Sequence, residues 1–93
     1  MQTRDDIATA TRETFALYID HGYLPGDFLT AVLQNDLRAA VAAADPINQT
    51  LLPTYVAWLI SYAPYDCWGS PEQVEAWAAA RRAERTSHHQ EVR

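Results

Sequence analysis

Cys67 is the residue of this chain best suited to covalent chemistry, and it is the single cysteine. A thiol becomes a nucleophile when a base such as histidine lies beside it and takes its proton. His21 is the only histidine outside the C-terminal segment, and it is far from Cys67 in sequence. We therefore predict a small apolar thiol in the core, no catalytic residue and no enzymatic activity.

Metal, phosphate and carboxylate chemistry each need a pattern that the chain does not offer. Structural zinc takes about four ligands at set spacings, whereas His88 and His89 are adjacent and Cys67 has no second thiol. The three glycines form no phosphate-binding motif. Asp20 and Asp27 could act as an acid–base pair only inside a shared pocket, and both are expected at helix ends. We predict no metal and no cofactor.

Acidic residues outnumber basic ones, and the net charge is −5. Between Glu13 and Glu75 there are eight acids and one base, Arg38. An acidic face can attract a basic protein surface, including one that normally holds nucleic acid. The same charge also keeps a small helical protein soluble, so both interpretations stay open. The acidic candidates for contact with a partner are Asp20, Asp27, Asp36 and Glu72.

A short loop over residues 64–70 carries the remaining candidate contacts. It contains Tyr65, Asp66 and Trp68 between two predicted helices. Exposed tyrosine and tryptophan anchor many protein interfaces, but a buried tryptophan closing a small core is equally common. The sequence alone does not decide whether these two aromatic side chains are exposed or buried.

Helix signals in the first half of the chain predict three elements. The first helix should run from Asp5 to His21, with Thr3 as its cap and Gly22 as its terminator. Asp27 should cap the second helix after a Pro-Gly turn. Helical phase would allow that helix to continue to Ala44. The pair at 35–36, Asn-Asp, favours two short helices with a tight corner, because both residues prefer caps to helix interiors.

The second half predicts two further helices. Asp45 followed by Pro46 is a strong start signal. An apolar stripe then keeps phase across Pro53, so the helix is either continuous and kinked or begins afresh at Thr50. Ser70 should cap a final helix that has Pro71 in its first turn and ends near Glu84. Residues 86–93 are predicted to form a disordered tail.

Together these elements predict an all-α, compact single domain over residues 1–85. Sixteen alanines and only three glycines favour helix throughout. We expect four to five short helices in orthogonal packing. The expected core residues are Phe15, Phe28, Val32, Leu33, Leu37, Tyr55, Trp58, Leu59 and Trp77.

Compartment follows from what the sequence lacks. One cysteine excludes an intrachain disulfide, which suits a reducing cytoplasm. The N-terminus has no apolar stretch resembling a signal peptide. The longest strongly apolar run covers residues 56–60, far short of the ~20 residues that span a bilayer. We expect a cytoplasmic protein that is not bound to membrane.

Two blocks of the chain resemble a set of small, functionally uncharacterised proteins encoded by tailed phages and prophages. The blocks are HGYLPGDFLTAVLQNDL at 21–37 and CWGSPEQVEAW at 67–77, and those proteins share a PGxFLxxVLxNDL block followed by GSPE. The resemblance covers residues 18–78 and implies a mobile-element origin and a bacterial host. It transfers no functional residue.

We therefore expect a small acidic phage-type protein that binds and modulates a host protein with a basic surface. Inhibition of a defence nuclease, as by an anti-CRISPR-like or nucleic-acid-mimicking protein, belongs to this class. The alternative is a small accessory DNA-binding or phage-replication factor, because the corner between helices two and three resembles a helix-turn-helix in outline. A DNA-reading helix needs bases that neutralise phosphates, and this region has only Arg38.

Overall fold

The structure is a computed structural model that describes residues 4–91, with side chains described for 5–86. Within that range the chain forms five α-helices and no strand. The predicted all-α bundle is confirmed. The helices are α1 (Arg4–His21), α2 (Asp27–Leu33), α3 (Leu37–Ala43), α4 (Pro46–Tyr62) and α5 (Pro71–Glu91), with a 3-10 turn (Tyr65–Cys67) between the last two.

Helix α1 carries a buried face and ends where the sequence predicts. Phe15 and Tyr18 are fully buried. Gly22 adopts φ +77°, and its N–H donates to the carbonyl of Tyr18 at 2.8 Å. A left-handed residue of this kind terminates many helices, and glycine adopts it without steric cost. The predicted cap, Thr3, lies outside the described residues.

The corner between α2 and α3 confirms two short helices instead of one. Asn35 adopts φ +59°, which helices do not continue through and which asparagine tolerates better than most residues. The N–H of Asp36 donates to the carbonyl of Ala31 at 2.9 Å. The carboxylate of Asp36 then accepts the N–H of Ala39 at 3.1 Å and caps α3.

The prediction that Asp27 caps α2 is wrong. Gly26 occupies the cap position, and no side chain bonds the free amides there. Asp27 is the first residue of the helix, one position beyond the place from which a side chain reaches those amides. Its charge still suits the positive end of the helix.

Helix α4 is continuous through Pro53 and does not begin afresh at Thr50. It starts at Pro46, and the carboxylate of Asp45 accepts the N–H of Asn48 at 2.8 Å. Pro53 is exposed on the helix surface, whereas Leu51 and Tyr55 on either side of it are buried.

The core forms where faces of α1, α2, α4 and α5 meet around the 3-10 turn. Tyr18, Tyr55 and Phe15 are its largest fully buried side chains. Of the expected core residues, Phe28, Trp58 and Trp77 are only partly buried against it. The buried apolar residues are Ala8, Phe15, Tyr18, Ala31, Val32, Leu33, Ala40, Leu51, Tyr55, Leu59, Cys67, Val74 and Ala78.

Leu37 is not a core residue, which corrects the prediction. Its side chain is 67% exposed. It is the first residue of α3, and the only buried residue of that helix is Ala40. Because α3 packs chiefly against α2, the side chain of Leu37 has no third element to cover it.

Helix α5 is longer than predicted. The hydroxyl of Ser70 accepts the N–H of Gln73 at 3.1 Å, as the predicted cap requires. The helix continues to Glu91 instead of ending near Glu84, because residues 85–91 contain no glycine or proline that would end it. It therefore includes residues 86–91 of the predicted tail, and residues 92–93 lie outside the described range.

Candidate functional site

An apolar groove runs between α3, α4 and the 3-10 turn. It consists of two cavities, of about 460 Å³ and about 280 Å³. Asn35, Ile60 and Trp68 line both cavities, so the two are adjacent. The larger is also lined by Ala63, Tyr65, Gly69 and Gln73, and the smaller by Ala31, Val32, Asp36, Leu37, Ala40, Leu52 and Val56.

Local sequence explains why this region stays open. Helix α3 has only seven residues and leaves Leu37 on the rim. Ile60 follows the buried Leu59, and one residue rotates a helical side chain by roughly 100° about the axis. Ile60 therefore points away from the core and is 70% exposed.

The floor of the groove is tied to α2 by the backbone of the loop. The N–H of Gly69 donates to the carbonyl of Leu33 at 2.7 Å. Gly69 adopts φ +124°, and a Cβ at this position would come within 2.8 Å of the Gln73 side-chain oxygen. Glycine is therefore needed to bring the chain past α2 and to place Trp68 between the two cavities.

The charge at the groove is negative. Asp36 lines the smaller cavity, and no base is among the lining residues in the described part of the chain. One carboxylate oxygen of Asp36 is held by the α3 cap. The neutral polar groups of the larger cavity are Asn35 and Gln73, and the Gln73 amide donates to the carbonyl of Tyr65 at 3.5 Å.

The structure brings three of the seven predicted contact residues to the groove. Asp36, Tyr65 and Trp68 line it. Tyr65 is 88% exposed, whereas Trp68 is half-buried. Asp66 and Glu72 are close in sequence to Tyr65 and Trp68 but do not line the groove. Both are exposed, Asp66 in the 3-10 turn and Glu72 in the first turn of α5.

The other two predicted contacts lie elsewhere. Asp20 is exposed near the end of α1, and Asp27 is exposed at the start of α2. Neither lines the groove. Any function that they share with Asp36 would therefore depend on long-range charge and not on a common contact surface.

Sequence reasoning did not identify Leu37 and Ile60 as groove residues. Leu37 continued the helical phase of α2 and was assigned to the core. The signal for Ile60 was present, because it falls outside the apolar stripe of α4 that contains Leu51, Tyr55 and Leu59. A large aliphatic side chain off the core stripe is a candidate for a surface site.

Cys67 has the properties of a core thiol. It is fully buried, and burial raises its pKa to about 11, so the reactive thiolate is scarce at neutral pH. Its carbonyl accepts the hydroxyl of Tyr18 at 2.6 Å. His21 is exposed, with its ring 5.9 Å from that of Tyr23. Among the described residues, no three His, Cys, Asp or Glu side chains are grouped to hold a metal ion.

Two basic residues of α5, Arg81 and Arg85, contact aromatic rings of the protein, whereas Arg82 is exposed. The guanidinium of Arg81 lies 4.5 Å from the Trp77 ring centroid and pairs with Glu84. That of Arg85 lies 4.2 Å from the ring of Tyr23. The exposed residues of α3 are Leu37, Arg38, Ala39, Val41, Ala42 and Ala43. Arg38 is the single base among them, so the helix-turn-helix outline carries little positive charge for phosphates.

No family model, curated protein or solved structure matches this chain. Over residues 4–91, no helix has the length and apolarity needed to cross a membrane. Over the described residues, the geometry defines a small all-α protein with an apolar, acid-edged groove between α3, α4 and the 3-10 turn.

Proposed function

We propose that this chain is a non-catalytic, acidic binding protein of phage or prophage type, which modulates or inhibits a protein of the bacterial host cell. The groove between α3 and α4 is its contact surface. The observation that carries this proposal is the exposure of large apolar side chains around two adjacent cavities, with Leu37, Ile60 and Tyr65 all more than half exposed.

Apolar exposure of this kind favours a protein as the ligand. Each of these side chains would gain from leaving water, at about 25 cal/mol per Å² of apolar surface buried. Interface centres are rich in aromatic and aliphatic side chains with charge at the rim. Tyr65 and Trp68 supply the aromatic part, and Asp36 supplies the charge.

Net charge favours a basic partner. The chain carries −5, and the only charged residue among those lining the groove is acidic. Opposite charge on the partner would speed encounter and exclude acidic competitors. The resemblance of residues 18–78 to phage and prophage proteins supports a host protein as the partner, in the bacterial cytoplasm. A defence nuclease with a basic surface is one partner of this kind.

The proposal is tested by site-specific photo-crosslinking in bacterial cells. A photoreactive amino acid replaces Tyr65 in one variant and Leu17 in a matched control, since Leu17 is half exposed on α1 and does not line the groove. Captured proteins are identified by mass spectrometry. Each is then purified and titrated with the unmodified protein at several salt concentrations.

We expect one protein that crosslinks from position 65 and not from position 17. Its purified form should bind the wild type more weakly as salt increases. Charge reversal at Asp36 should weaken binding more than reversal at Asp20 or Asp27. The proposal is wrong if no protein depends on position 65, or if binding is indifferent to all three reversals.

A further inference from the structure

We infer that the groove receives a single amphipathic helix of the partner, with its apolar face in the two cavities and a basic residue against Asp36. This inference rests on the proposed function and specifies the chemistry of the ligand. It is carried by the shape of the groove, by its charge and by the weak anchoring of its α3 wall.

The shape favours a helix over other peptide conformations. The two cavities lie side by side and share Asn35, Ile60 and Trp68 in their linings, so neighbouring side chains of one ligand can reach both. A helix presents large side chains at i, i+3 or i+4, and i+7, which suits successive depressions in one groove. An extended peptide usually adds to the free edge of a sheet, and residues 4–91 contain no strand.

The charge at the groove indicates the sign of the charge that the ligand helix carries. Apolar walls require a ligand with an apolar face, and Asp36 on the lining of the smaller cavity requires that any charge beside it be positive. A helix with an acidic flank would meet both Asp36 and the net charge of −5. Like charges across an interface are strongly unfavourable, so the ligand is a cationic amphipathic helix.

The α3 wall can adjust to such a ligand. Ala40 is the only buried residue of α3. The C-terminal end of α3 is held by the Gln49 side chain, which donates to the carbonyls of Val41 and Ala44 at 3.4 Å each. A segment with so little buried apolar surface opens at low free-energy cost. We expect α3 to move as the ligand helix enters, whereas α4 stays fixed by Leu51, Tyr55 and Leu59.

The test uses designed peptides as probes, so it does not depend on knowing the partner. The probe is a fluorescein-labelled peptide of leucine and lysine, with leucines spaced three and four residues apart. One control peptide has the same composition in alternating order, and a second has glutamate in place of lysine. A proline-rich cationic peptide serves as the third. Binding is measured by fluorescence anisotropy at moderate salt.

Matched variants locate the site on the protein. Leu37→Ser and Ile60→Ser remove apolar surface from the groove, and Leu17→Ser removes a similar amount outside it. Asp36→Asn removes the charge but keeps an acceptor for the α3 cap, and Asp27→Asn is its control. Circular dichroism and thermal melts confirm that each variant folds. These positions are all exposed, so folding should be retained.

We expect the cationic helical probe to bind best. Leu37→Ser and Ile60→Ser should each weaken it about tenfold, whereas Leu17→Ser should leave it unchanged. In ¹H–¹⁵N spectra, the indole signal of Trp68 should shift. The indole signal of Trp77 should not shift. Trp77 does not line the groove, and its indole N–H donates to the carbonyl of Ile19 at a distance of 3.0 Å. Amides of α3 should gain protection from hydrogen exchange.

Several results would overturn the inference. The first is equal binding of the cationic helical probe by the groove variants and the control variants. The second is stronger binding of the alternating or the proline-rich peptide, and the third is equal affinity for the glutamate peptide. Dimerisation of the protein that is lost in Ile60→Ser would assign the groove to a second copy. If a partner crosslinks at position 65 while the helical probe fails, the helix inference falls and the proposed function stands. If both fail, both fall.

Discussion

The hydroxyl of Tyr18 donates a 2.6 Å hydrogen bond to the backbone carbonyl of Cys67, 49 residues further along the chain. The same hydroxyl lies 3.4 Å from the carbonyl of Val74 in α5. One fully buried side chain of α1 thereby holds both the 3-10 turn and the start of α5. Since that turn carries Tyr65 and leads into Trp68, this buried hydroxyl helps to position two residues of the groove.

Removing that hydroxyl should destabilise the protein. Tyr18→Phe leaves the buried carbonyl of Cys67 without its side-chain donor, which costs about 1–3 kcal/mol in free energy of unfolding. Urea denaturation measures this directly. Tyr65→Phe is the control, because its hydroxyl belongs to an exposed side chain and its loss should change stability by less than about 0.5 kcal/mol. Equal effects of the two substitutions would show that the buried bond contributes nothing.

Stability should fall in alkaline solution because of Cys67. Burial raises the pKa of its thiol from 9.0 to about 11, so the folded state holds the proton at a pH where the unfolded chain has released it. The buried, protonated thiol therefore contributes its full share to the free energy of unfolding below about pH 9. This contribution is lost as the pH rises towards 11. Burial also raises the pKa of Tyr18 above its usual range, which extends the loss to higher pH.

Urea denaturation at a series of pH values from 7 to 11 tests this alkaline loss. A shift of about two pKa units corresponds to a loss of roughly 2–3 kcal/mol. Cys67→Ala should be less stable than the wild type at pH 7, and the gap between them should narrow as the pH rises. A constant gap would contradict the assignment. Thiol reagents at pH 7 should label the wild type only under unfolding conditions.

Gly22 should be intolerant of a side chain, whereas Gly26 should accept one. At Gly22, φ is +77° and a Cβ would come within 2.6 Å of the Arg81 Cβ and 2.9 Å of the Ala78 carbonyl oxygen. Gly22→Ala should cost about 1–3 kcal/mol. Gly26 has nothing within 4 Å and an ordinary φ, so Gly26→Ala should be neutral or stabilise by up to about 1 kcal/mol. Thermal melts of the pair check this, and the reverse order would refute it.

The two aspartates that begin α2 and α4 should differ in their contribution to stability. Asp45 accepts the N–H of Asn48, and Asp45→Ala should cost about 1 kcal/mol. Asp27 makes no cap bond, and Asp27→Ala should lose only the interaction with the helix dipole, about 0.3–1 kcal/mol. Chemical denaturation at low and high salt checks this: salt should remove most of the loss at Asp27, whereas the loss at Asp45 should persist in part because its hydrogen bond remains. A larger loss at Asp27 would restore it as the cap.

Pro53 should be replaceable with a gain in stability. It lies inside the continuous α4 on an exposed position, and proline in a helix interior costs about 3 kcal/mol relative to alanine. Pro53→Ala should raise the melting temperature, and Thr54→Ala, at the neighbouring exposed position, is the control. A lower melting temperature for Pro53→Ala would show instead that the packing of Leu51 and Tyr55 depends on a bend at the proline.

Short-range signals explain which parts of the fold could be predicted. Gly22, Asp36, Asp45 and Ser70 each act on backbone groups within three or four residues, and all four end or begin a helix as the sequence indicates. The cap at α2 was misplaced by one residue, because Gly26 and Asp27 are both acceptable at a helix start. The end of α5 was missed because no glycine or proline marks it.

The site was less predictable than the helices. The aromatic loop indicated Tyr65 and Trp68, and the acidic bias indicated Asp36. Nothing in the residue types distinguishes Asp36 from Asp20 or Asp27, which lie outside the groove. Leu37 could not be assigned from periodicity, since it continues the helical phase of α2 and an aliphatic side chain in phase is predicted as core whether or not another helix covers it. Ile60 lies off the core stripe of α4, but that position alone does not show that Asn35 and Trp68 line a cavity beside it.

The sequence by itself therefore determined the all-α class, the negative charge, most helix boundaries and the break between α2 and α3. These properties depend on composition and on hydrogen bonds between residues close in the chain. Only the tertiary structure decided that Leu33 is buried while Leu37 is exposed, and that Asn35, Ile60 and Trp68 meet at one groove. Burial depends on which distant elements pack against a helix, and α3 meets too few of them to cover its own apolar side chains.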